Sequence, residues 1–82
     1  MQNEIFVAQT PDGYSLKTRT NPDQKWNDIL KNGKSFDKLI DALDSLPLLF
    51  RVSAKINYGV LNPPFPLTDY EKGIINLRTE LV

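Results

Sequence analysis

The chain reads as an α+β domain. It is expected to be a small antiparallel sheet, an N-terminal hairpin plus one long strand, packed by two or three helices in the order β-β-α-α-β-α. Three observations predict this class. Residues flanking Thr10-Pro11-Asp12-Gly13 alternate with period two. Apolar residues from Phe36 to Leu46 recur at helical spacing. Alternation then returns from Phe50 to Val60.

The first strand is Glu4-Ile5-Phe6-Val7-Ala8-Gln9. Proline and aspartate suit the middle of the turn that follows, and Gly13 suits a left-handed bulge position. Tyr14, Leu16 and Thr18 then alternate with Ser15, Lys17 and Arg19. A bulged turn sets Tyr14 opposite Thr10, Leu16 opposite Ala8 and Thr18 opposite Phe6. That register puts Phe6, Ala8, Tyr14 and Leu16 on one face and Ile5, Val7, Lys17 and Arg19 on the other.

Asn21-Pro22-Asp23-Gln24 has the residues of a helix start: a capping asparagine, a first-turn proline and a glutamine able to reach back. Trp26, Ile29 and Leu30 share one helical face, and Gly33 ends the segment. Ser35 caps a second helix along the stripe Phe36, Leu39, Ile40, Leu43 and Leu46, which Pro47 stops. Phe50, Val52, Ala54, Ile56, Tyr58 and Val60 then alternate with Arg51, Ser53, Lys55 and Asn57, as a long half-buried strand would. In the tail, Thr68 and Glu71 form a capping box, and Tyr70, Ile74, Leu77 and Leu81 fall on one helical stripe. Ile75, Leu77, Thr79 and Leu81 also alternate; the box favours a helix.

Between the long strand and the tail lies Asn62-Pro63-Pro64-Phe65-Pro66-Leu67. Pro63 and Pro66 fit a P-x-x-P pattern, but no basic residue stands nearby to orient such a ligand. A stiff connector is the simpler reading, with Phe65 and Leu67 plugging the edge of the core.

Eighty-two residues make one domain, residues 1–82, with a small core. Hydrophobic residues at 40% and charged residues at 24% describe a globular chain. No apolar run approaches a membrane span, so no membrane partner is expected. Met1-Gln2-Asn3-Glu4 lacks the basic start and apolar core of a signal peptide, and a cytoplasmic location is expected.

The chain has no cysteine and no histidine. Disulfides, zinc ribbons and thiol catalysis are excluded, and the commonest general base is missing. Asp37, Asp41 and Asp44 line one side of a helix, but no further ligand accompanies them, and a solvated face explains them. No Gly-rich phosphate loop, nucleophile elbow or metal-protease pattern occurs. The protein is therefore expected to be no enzyme, with no cofactor, no metal and no catalytic residues.

Ten basic and ten acidic residues cancel, but their distribution is uneven. Residues 13–22 and 46–68 contain Lys17, Arg19, Arg51 and Lys55 and no acid. If these cations share a sheet face with Ile5 and Val7, the surface has an apolar centre and a basic rim, while the acids gather on the helices. The expected partner-binding set is Lys17, Arg19, Arg51, Lys55, Ile5 and Val7. The expected function is a small regulator, adaptor or inhibitor that binds a larger, acidic-surfaced protein. Nucleic acid is the alternative partner, held by the same cations. It is disfavoured because Tyr14, Phe50 and Tyr58, which might stack bases, belong to the expected core face. An exposed sheet face or edge would also suit a homodimer.

Overall fold

The computed structural model describes residues 2–59 and 66–80. Its strands are β1 (Glu4–Thr10), β2 (Gly13–Arg19), β3 (Asn27–Gly33) and β4 (Lys55–Tyr58). Its helices are α1 (Phe36–Asp44) and α2 (Leu48–Ser53), which precede β4, and α3 (Asp69–Thr79), which follows it. The α+β class stands. The sheet is mixed, in the order β3-β2-β1-β4, with β4 parallel to β1 and the other pairs antiparallel.

The hairpin forms with its register one residue from the expected one. Thr10 pairs with Gly13, Gln9 with Tyr14 and Val7 with Leu16, so Pro11 and Asp12 alone make the turn. The Thr10 hydroxyl accepts from the Asp12 N–H at 3.3 Å and donates to the Gly13 carbonyl at 3.1 Å, which closes this tighter loop. Because side chains alternate with period two, a one-residue slip exchanges the faces completely. Ile5, Val7, Leu16 and Thr18 point to the core. Glu4, Phe6, Ala8, Ser15, Lys17 and Arg19 point the other way.

Residues 21–33 are not a helix. The capping residues close a turn instead: Gln24 N–H donates to the Asn21 carbonyl at 2.9 Å, and Asp23 N–H to the Asn21 side chain at 3.0 Å. Beyond the turn, Asn27, Asp28, Asn32 and Gly33 are weak helix formers, and Asn32 takes a positive φ of 50°. The segment gains more as β3, pairing along the otherwise open edge of β2. Register shifts against β2 let the adjacent Ile29 and Leu30 both reach the core, which a regular strand forbids.

The expected long strand at 50–60 is also corrected. Pro47 starts α2, and the Arg51 N–H donates to its carbonyl at 3.0 Å. The chain leaves β3 at one sheet edge and must reach β1 at the other, so α1 and α2 provide the crossing. Only the four residues of β4 then pair beside β1.

The two remaining helices follow the local signals. Ser35 caps α1 through the Lys38 N–H, and Leu39, Ile40 and Leu43 are buried. Thr68 and Glu71 make both bonds of the capping box of α3. Gly73 lies inside that helix, and its buried face centres on Ile75; Tyr70 and Leu77 are exposed. The core joins Ile5, Val7 and Leu16 of the sheet to Leu39, Ile40 and Leu43 of α1, Ile75 of α3, and Leu67. Leu67 plugs the core as expected; residues 62–65 of the proline segment, with Phe65, lie outside the described residues.

Polar links tie the sheet to α3: the Tyr58 hydroxyl of β4 donates to the Asn76 side chain at 2.7 Å, and Tyr14 of β2 bonds Glu71. The Tyr14 hydroxyl donates to the Glu71 carboxylate at 2.5 Å, and the same carboxylate completes the α3 cap. Burial, then the Glu71 hydrogen bond and charge, push the Tyr14 phenol up to about 12. Burial alone would raise Glu71, but bonds from Tyr14 and Thr68 outweigh it and hold the carboxyl below its ordinary value. A raised phenol stabilises the fold below the unfolded tyrosine value near 10, and that stability is lost as pH rises towards about 12. Urea titrations between those pH values are expected to show a steep alkaline loss in the wild type and a shallower one in Tyr14→Phe.

Candidate functional site

On one face of the sheet α1 packs on β2 and β3, α3 adds Ile75 to the same core, and α2 packs on α3. Among the described residues no helix covers the other face. β1 and β2 contribute Glu4, Phe6, Ala8, Ser15, Lys17 and Arg19 to it. β4 contributes Lys55 and Asn57, since Lys55 pairs with Glu4 and Asn57 with Phe6. The turn before β3 brings Trp26 back over this face, so that its ring meets Phe6 at 5.5 Å between centroids, tilted by 53°. Gly59 backs Phe6 from the β4 side; a Cβ there would lie 2.0 Å from the ring.

Arg19 connects charge to the aromatic pair. Its guanidinium lies 4.1 Å from the Trp26 ring centre and donates to Glu4 at 2.7 Å. Glu4 also accepts from Asn57 at 3.3 Å. The Arg19 hydrogen bond holds the Glu4 carboxyl below its ordinary value against the opposing effect of burial, with Asn57 and the charge of Lys55 adding to it. This ion pair is largely buried and fixes the Trp26 platform.

Beside the platform is a hollow of about 330 Å³ lined by Phe6, Trp26, Thr10, Ser15, Lys17, Asp28, Lys31 and Asn32. Asp28 is shared by Lys17 at 3.7 Å and Lys31 at 3.5 Å. The Ser15 hydroxyl is buried and, among the described residues, has no hydrogen-bond partner.

The structure brings together only part of the expected site. Lys17, Arg19 and Lys55 lie on the open face. Arg51 does not: it bonds Asp44 at 3.5 Å and the Leu46 and Arg78 carbonyls at 3.1 and 3.3 Å, which tie α2 to α1 and α3. Ile5 and Val7 are corrected outright. Both are 0% exposed in the core, so they cannot touch a partner. Their place is taken by Phe6, which the expected register hid, and Trp26, which the expected helix hid; Ala8 shares the face with Phe6 but is itself fully buried. The usable signal was the Pro11-Asp12 turn, since a two-residue loop moves Phe6 to the face of Lys17.

The expected separation of charge is slight. The strands carry Lys17, Arg19, Lys31 and Lys55 against Glu4 and Asp28. The helices carry four cations and five carboxylates. Asp44 bonds Arg51 and Arg78, while Asp37 and Asp41 are exposed. The helical side also exposes Leu48, Leu49, Tyr70 and Leu77. No helix among the described residues is long and apolar enough to cross a membrane.

No family model matches the chain, and no similar curated protein or solved structure is found.

Proposed function

We propose that this protein is a non-enzymatic interaction module, a small regulator, adaptor or inhibitor, that binds a larger protein through its open sheet face. The observation that carries this reading is the Phe6–Trp26 pair with Arg19 stacked on it, placed on the sheet face that no helix covers among the described residues. Tryptophan and arginine dominate the energetics of protein interfaces, and a charged rim around an apolar centre gives orientation and specificity. Four cations against two carboxylates suit a partner surface that is acidic or mixed.

The aromatic pair also gives nucleic acid a specific argument, because it supplies the stacking surface expected to be missing. Magnitude decides against it. With Glu4 and Asp28 in place the face has a surplus of two charges. About two released counterions would give a log–log salt slope near −2, well short of the roughly six to ten phosphate contacts of strong binders.

Lys17, Lys55 and Trp26 are the residues to change, because Arg19 and Arg51 also hold the fold. In a pull-down quantified against one purified partner, Trp26→Ala is expected to weaken binding about thirtyfold, as interface tryptophans do. Lys17→Ser with Lys55→Ser weakens it further, most clearly at low salt. A control on the helical side, Asp37→Ser with Asp41→Ser, leaves it unchanged. Full affinity in Trp26→Ala together with loss in the helix control would overturn the assignment.

A further inference from the structure

We infer that the hollow beside Phe6 and Trp26 is an anchor pocket for one phenol-bearing side chain of the partner, flanked in the partner sequence by carboxylates. The inference rests on the open-face reading and adds the chemistry of its central contact.

Size limits the occupant first. About 330 Å³ lies at the small end of ligand sites, which run from roughly 300 to 1,000 Å³. It suits one side-chain ring. Phe6 and Trp26 already touch, so they form a single wall, against which a third ring packs edge-to-face or offset.

The polar atoms set what the ring carries. Ser15 is 7% exposed and stands on the open face opposite Ala8, and among the described residues its hydroxyl has no partner. A buried hydroxyl left unpaired is costly, and an incoming polar tip removes that cost. Asp28 lines the same hollow and is held by Lys17 and Lys31; a neutral tip leaves those pairs in place, whereas a carboxylate would compete with Asp28 for them. A phenol O–H both donates and accepts, which matches a serine hydroxyl in either rotor.

The rim sets the flanks. Lys17 and Lys31 share the one carboxylate of Asp28, leaving a positive charge uncompensated at the mouth. Lys55 adds a second, exposed cation on the same face. Carboxylates on either side of the inserted ring complement both.

Trp26 is the only tryptophan in the chain and reports on the pocket by its own fluorescence. The test uses capped pentapeptides with tyrosine, phenylalanine or alanine between paired glutamates, and adenosine monophosphate as the nucleotide probe. The tyrosine peptide is expected to perturb Trp26 emission and to bind about tenfold more tightly than the phenylalanine peptide, the worth of one well-made hydrogen bond. Ser15→Ala is expected to fold with undiminished stability, because the deleted hydroxyl has no partner to lose, and to abolish the tyrosine preference. Equal affinity for the tyrosine and phenylalanine peptides, no Trp26 response, or tighter binding of the nucleotide would each overturn the anchor. Amide shifts recorded on the same samples separate the two claims. Shifts at Lys17, Trp26 and Asp28 without a tyrosine preference remove the anchor and leave the open-face reading. Shifts confined to α2 and α3 remove both.

Discussion

Ile5→Asp is expected to abolish folding at neutral pH. Ile5 is fully buried, pairs with Thr18 on one side and Ile56 on the other, and belongs to the cluster containing Leu39, Leu43 and Ile75. The substitution removes about 1.5–3 kcal/mol of apolar burial. It also places a carboxylate among the apolar side chains of that cluster, at a further cost of several kcal/mol. A chain of 82 residues has a total stability of only about 4–12 kcal/mol. The far-UV circular dichroism of the variant should therefore be that of an unfolded chain. Lys55→Ser, on the open face, should unfold within about 0.5 kcal/mol of the wild type. A stable, cooperative Ile5→Asp variant would mean that the sheet faces are assigned the wrong way round.

Gly13→Val is the second large effect. Gly13 has a φ of +150°, and a Cβ built there would lie 2.1 Å from the Gly33 carbonyl oxygen and 2.9 Å from its carbon. Both obstacles are backbone, so no side chain can swing aside. Backbone strain of about 1–3 kcal/mol adds to an overpacking cost of about 1–3 kcal/mol. Relief requires the end of β3 to move away from β2, and Lys31 and Asn32 move with it. The urea midpoint should fall by the equivalent of about 2–6 kcal/mol, and a folded remnant should bind the partner poorly because the hollow has lost part of its rim. A midpoint unchanged from wild type would show that β2 and β3 do not approach so closely at this point.

What was legible in the sequence was local. Ser35 and the stripe from Phe36 to Leu43 define α1 within one stretch of chain, and Thr68 with Glu71 defines the start of α3 in the same way. What was not legible depended on partners distant in sequence. Asn21 to Gln24 can cap a helix or close a turn with the same atoms, and the unpaired edge of β2 decides between them. Phe50 to Tyr58 alternates convincingly, yet the need to cross the sheet turns its first half into α2. The site suffered most from a single residue of register. Taking Gly13 as the bulge placed Ile5 and Val7 beside Lys17; the two-residue turn places Phe6 there instead. Lys17, Arg19 and Lys55 stand out in the sequence because their acid-free surroundings are visible without a fold, and the structure places them on one sheet face. Trp26, Asp28, Lys31 and Ser15 required β3 to be a strand.

The open sheet face is the proposed interaction surface. The most direct test is to map amide shifts of the labelled domain on addition of a partner that binds it at one-to-one stoichiometry. Perturbations are expected at Phe6, Ser15, Lys17, Trp26, Asp28 and Lys55, with Leu48, Leu49, Tyr70 and Leu77 silent. Perturbation of those four helical residues with the open face unchanged would contradict this assignment.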